Sequence, residues 1–184
     1  RWPTDLAGAA VAAIALAVLI AVAGSGAQLD DDALEFIGAL PGWLRWLSQA
    51  FYVMAVLYSI ALLVGVGVAA GRLELLRDML LAGAVAVGSA VALSWWIDGR
   101  WPEFAVIDLQ ETRTTFPMFA ITAMVAVQAA AAPHLTRPVR RLGWAAIVAG
   151  PIASILGGVT TISDAVGGVL LGLLVASLVR FVFG

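Results

Sequence analysis

Long apolar runs separated by short charged stretches set the pattern of this chain. Runs free of charge cover 6–27, 46–71, 79–97, 114–133 and 142–163, and a sixth covers 165–179 before Arg180. A helix rises about 1.5 Å per residue and bilayer hydrocarbon is about 30 Å thick, so roughly 20 apolar residues make one crossing. The pattern predicts an all-α polytopic bundle of about six transmembrane helices forming a single membrane domain over 1–184. The last crossing, 165–183, reaches full length if Arg180 snorkels to the interface while Phe181, Val182 and Phe183 stay in lipid.

The segment 34–47 is apolar but carries Glu35, Arg45 and the pair Pro41-Gly42. It reads as an interfacial helix lying along the membrane before the second span, with an ordinary loop as the alternative. The first run, 6–27, is too long for a signal-peptide core and reads as a true span. The chain begins at Arg1 rather than methionine, so a piece of a longer polypeptide is expected.

Composition agrees with this pattern and narrows the chemistry. With 62% hydrophobic and 12% charged residues there is too little polar surface to cover a water-soluble globule. There is no cysteine, which excludes disulfides and thiolate chemistry, and all ten basic residues are arginine, which excludes a Schiff-base lysine. His134 is the sole histidine.

Charge sorts by alternate connections. Arg1, Arg72, Arg77, Arg137, Arg140, Arg141 and Arg180 fall on one side, and Arg45, Arg100 and Arg113 on the other with most of the acids. Seven arginines against three place the first set, and both termini, in the cytoplasm of a bacterial cytoplasmic membrane. Trp43, Trp46, Trp95, Trp96 and Trp101 then crowd the outer interface, and Trp2 and Trp144 mark the inner one. Arg137, Arg140 and Arg141 are expected to face anionic lipid headgroups. Asp30, Asp31 and Asp32 read as a solvated turn rather than a cation site. Gly168 and Gly172 form a GxxxG pair, and Gly65, Gly67, Gly71, Gly83 and Gly88 mark other spans; all read as helix-packing positions.

Three polar features remain. Asp164 sits between two long apolar runs, in Gly157-Gly158-Val159-Thr160-Thr161-Ile162-Ser163-Asp164. An acid at membrane depth is costly and suggests function, but a helix cap by Ser163 or Asp164 is the preferred reading. Gly99-Arg100-Trp101-Pro102 ends the third span, and Phe116-Pro117-Met118-Phe119-Ala120-Ile121-Thr122 opens the fourth.

In order and position these three features resemble the signature blocks of the type-2 phosphatidic acid phosphatase superfamily, a six-helix membrane fold. The resemblance spans about 50–180. It implies that Arg100 and Pro102 match the first block, with Leu93 at its lysine position. In the second, Pro117 and Thr122 match, while Met118, Phe119 and Ala120 stand at Ser, Gly and His. In the third, Asp164 matches, Ala153 and Ser154 replace Ser-Arg, and Thr160 replaces the nucleophilic histidine. In that family one histidine attacks phosphorus, oriented by the aspartate, and the other protonates the leaving oxygen. Threonine and alanine supply neither step, so the resemblance implies a degenerate member without catalysis: no catalytic residue, no metal and no cofactor.

The opening Arg1-Trp2-Pro3-Thr4-Asp5-Leu6 and the stretch 132–141 also look like the N-terminal membrane region of actinobacterial fusion proteins. Those carry a kinase-like domain and a lysylphosphatidylglycerol-synthase-type transmembrane region downstream. The expected function is a non-catalytic scaffold, or a domain of a larger lipid-handling protein that recognises lipid phosphate through Arg100, Asp164, Thr160 and Ser154. Residual lipid phosphate phosphatase activity and a part in lipid translocation are the alternatives. Anionic membrane lipids, downstream domains of the same polypeptide or a second copy are the expected partners, and nucleic acid is not.

Overall fold

The structure, a computed structural model, describes residues 2–23, 27–65, 73–99 and 116–183. These residues form α1 (Trp2–Ala23), α2 (Ala27–Gly38), α3 (Gly42–Val64), α4 (Leu73–Asp98), α5 (Phe119–Ala131), α6 (Arg137–Leu156) and α7 (Ile162–Phe183). A 3-10 turn over 132–134 extends α5. The described residues contain no strand, and the chain is a helical membrane bundle. By length and composition α3, α4, α6 and α7 suffice to cross a membrane, while the described apolar parts of α1 and α5 are shorter.

The helices extend past the charge-free runs because their first turns accept charge at the bundle ends. Arg137, Arg140 and Arg141 lie within α6, and Arg77 and Asp78 within α4. The segment 34–47 is not one helix. Pro41 accepts the first helical hydrogen bonds of α3 through its carbonyl, from Leu44 and Arg45 N–H, and its missing N–H costs nothing at a helix start. Trp43–Leu47 therefore belongs to α3, and the separate helix before it, α2, lies earlier at Ala27–Gly38.

The core is built around α5, which is apolar on every side and packed among α3, α4, α6 and α7. Its shortness is tolerated because these neighbours, rather than lipid, surround it. Small residues bring the neighbours close. Ala82, Ala86 and Ala90 of α4 pack with Ala126 and Ala130, and Gly168 and Gly172 of α7 meet the α5 backbone. Without lipid-driven hydrophobic association, such close approach is what holds membrane helices together. Gly83 also faces α5 through Val127, but Gly65 and Gly88 meet no neighbour among the described residues; Gly67 and Gly71 lie outside the described residues.

Helices α3, α5 and α7 begin at the end where α1, α4 and α6 finish. Gly8 near the start of α1 lies beside Ser177 near the end of α7. At the opposite end Trp43, Trp46, Trp95 and Trp96 are all exposed; this is the end that α2 covers. Arg180 does not snorkel outward. Its guanidinium turns into the bundle and donates to the Ala129 carbonyl at 3.4 Å and to Ser177 Oγ at 3.5 Å. A cation beside the carboxyl end of α5 suits the helix dipole.

Candidate functional site

The turn between α6 and α7 carries the third block. Gly158 adopts φ +70, which L side chains rarely reach, and there the chain reverses. Thr161 Oγ1 accepts the Asp164 N–H at 3.3 Å, so Thr161 caps α7, not Ser163 or Asp164. Asp164 is 4% exposed in the first turn of α7, where the helix dipole favours a carboxylate. Thr160, four residues earlier, is buried as well. Ser154 is also buried, and its hydroxyl donates to the Pro151 carbonyl at 2.7 Å within its own helix.

The second block meets this turn directly. After the cis bond Phe116-Pro117, Met118 N–H donates to the Asp164 carbonyl at 3.3 Å. Thr122 Oγ1 donates back to the Met118 carbonyl at 2.9 Å. The Phe116 ring fills the space that a side chain at Gly167 would need. Leu93, at the lysine position of the first block, packs with Phe116 and Phe119 on one apolar cluster. Groups that the resemblance makes polar are thus hydrocarbon here. Arg100, Trp101 and Pro102 lie outside the described residues.

Two further helices reach the same turn, and sequence reasoning missed both. Gln49 Nε2 of α3 donates to the Gly157 carbonyl at 3.0 Å. One helical turn earlier, Arg45 Nη2 lies 3.5 Å from where a Gly158 side chain would start. The signal was present: Arg45, Ser48, Gln49 and Tyr52 share one face of a helix, a polar stripe in an apolar span. From α2, Ile37 packs on Gly158, and the Asp30 carboxylate accepts from Ser163 N–H at 3.3 Å and from Ser163 Oγ. Asp30 is therefore a contact between helices and not part of a solvated turn; the side chain of Asp31 lies outside the description.

The remaining sequence candidates lie elsewhere. His134 is exposed just past the far end of α5, a helix of 13 residues and so about 20 Å from the Met118–Asp164 link. Arg137, Arg140 and Arg141 are exposed at that same far end. Among the described residues no group of His, Asp or Glu is placed to hold a metal ion.

No protein-family profile matches the chain, and no curated protein sequence matches it. Its structure matches the crystal structure of the first transmembrane PAP2-type phosphatidylglycerolphosphate phosphatase from Bacillus subtilis. The match has a TM-score of 0.75 at 20% sequence identity and covers 94% of each chain. The two chains share a fold. At this identity the likeness concerns backbone architecture alone.

Proposed function

We propose that the chain is a non-catalytic, phosphatase-like membrane module that recognises a lipid phosphate at the mouth between α5 and α7, within a larger lipid-handling protein. The observation that carries this reading is a mismatch. The backbone follows a membrane phosphatase over 94% of its length, yet the sequence resemblance sets Ala120 and Thr160 at that family's two histidine positions. The sole histidine, His134, is about 20 Å away at the other end of α5. Without an adjacent general base a threonine hydroxyl stays protonated and attacks phosphorus poorly near neutral pH, and a methyl group has no proton to give the leaving oxygen.

In this reading Arg100 carries the charge that attracts the phosphate, Thr160 offers a hydroxyl, and Asp164 fixes the mouth through its link to Met118. Ser154 shapes the turn from within α6. The bundle crosses a bacterial cytoplasmic membrane six times with both termini inside, α2 lies on the outer surface, and Arg137, Arg140 and Arg141 meet anionic headgroups on the inner side. Downstream domains, or a second copy, use the bundle as scaffold.

Native mass spectrometry of the purified chain with phosphatidic acid tests this. Retention of the intact lipid, weakened in Arg100→Ala, is expected; loss of the phosphate from the bound lipid overturns it. The likeness to a solved phosphatase favours residual phosphatase activity as a second reading, with Arg100 holding phosphate and Asp164 as base. That reading requires phosphate release that disappears in Asp164→Ala.

A further inference from the structure

We propose that α3 supplies a phosphate-monoester seat over the α6–α7 turn, with Arg45 as its cation and the Tyr52 hydroxyl as its inner hydrogen-bond donor. The inference rests on the lipid-phosphate reading above and deepens it by naming residues that none of the three blocks contains.

Three observations converge on the same face of α3. Arg45 is exposed at the tryptophan-rich end, its Nη2 lies 3.5 Å from where a Gly158 side chain would start, and it makes no ion pair among the described residues. Its position compensates for a loss: the resemblance assigns cations to positions 93 and 154, which hold Leu93 and Ser154, and Ser154 is buried with its hydroxyl occupied. Gln49, one turn on, clasps Gly157 and fixes α3 against the turn. Tyr52, one turn further, is 2% exposed, and its hydroxyl has no hydrogen-bond partner among the described residues.

A buried hydroxyl without a partner is destabilising by itself and calls for an explanation. The ring of Tyr52 belongs to one buried cluster with Ala153, Val159 and Ala165, which lie before, within and after the α6–α7 turn. Side chains on a helix lean toward its N-terminal end, which directs the Tyr52 hydroxyl toward Gln49 and Arg45. An oxygen-rich anion entering from the mouth meets the guanidinium first and the phenol second. A phosphate monoester suits that pair better than a diester, because it brings a third terminal oxygen and close to a second negative charge to the guanidinium. A lipid headgroup and free phosphate present the same chemistry to Arg45 and Tyr52.

The test uses the full chain in phosphatidylcholine nanodiscs, with phosphatidic acid as probe, phosphatidylglycerol as the diester control and inorganic phosphate as competitor. Wild type is expected to prefer phosphatidic acid. Arg45→Gln and Tyr52→Phe are each expected to weaken that binding about tenfold, the loss of one charge-assisted hydrogen bond. Tyr58 gives the control for a structural hydroxyl, since its Oη donates to the Val139 carbonyl at 2.9 Å. Tyr58→Phe should lower Tm and leave binding unchanged, whereas Tyr52→Phe should weaken binding without lowering Tm. Competition by inorganic phosphate marks a seat for the free ion; its absence, with both variants weakened, marks a seat that needs the lipid. Binding by wild type with both variants unchanged overturns the seat and leaves the lipid-phosphate reading standing. No preference for phosphatidic acid in wild type overturns both.

Discussion

Met118 N–H and the Asp164 carbonyl, 3.3 Å apart, join the first residues of α5 to the first turn of α7. This one backbone bond brings together two sequence features separated by a whole helical hairpin. Behind it the two helices stay in close contact, because α7 presents glycine where α5 presents backbone.

That closeness gives the first prediction. A side chain at Gly172 would begin 2.7 Å from the Thr122 carbonyl oxygen and 2.8 Å from Val125 Cβ. Backbone cannot yield as a flexible side chain can. Gly172→Ala should therefore destabilise by about 1–3 kcal/mol through overpacking, outweighing the roughly 1 kcal/mol that alanine gains in helix propensity. Gly8, whose nearest neighbour would be Ser177 Oγ at 3.8 Å, should accept alanine without loss. Thermal unfolding in detergent distinguishes the two, and equal Tm values would contradict the packing.

Asp30 on α2 holds Ser163 at the start of α7 from a helix more than a hundred residues earlier. Asp30→Ala should cost about 1 kcal/mol, the loss of a cap, and should speed hydrogen exchange at Ser163 and along α2. Unchanged exchange would contradict that role for Asp30.

Ser59 and Gln128 form a buried polar pair. Gln128 Nε2 donates to Ser59 Oγ at 2.7 Å, and Ser59 Oγ donates to the Ala55 carbonyl at 3.1 Å. Ser59→Ala strands the amide and should cost about 1–3 kcal/mol. Adding Gln128→Leu should recover part of that loss, since an apolar pair strands nothing. Additive losses in a double-mutant cycle would show that the two side chains are not coupled.

What was legible in the sequence follows from what kind of signal each feature carries. Hydrophobic run length marks helices independently of tertiary context, so the helical membrane bundle could be read. The helix ends could not be read from charge, since Arg137 and Arg77 lie inside helices at the bundle ends. The GxxxG of α7 is legible because two glycines four residues apart form a recognised close-packing motif. The equally close Ala82, Ala86 and Ala90 stripe of α4 is not, because alanine is common. At the candidate site the third block was visible through its isolated acid, but its partners were not. Asp30, Arg45 and Gln49 reach it only through folding, and each taken alone resembles an ordinary interfacial polar residue.

The most direct test of the central claim is the release of inorganic phosphate from phosphatidic acid vesicles by the purified chain, followed over time. The account predicts release no faster than from vesicles alone, in wild type and in Asp164→Ala alike. Steady turnover by wild type that Asp164→Ala abolishes would contradict it.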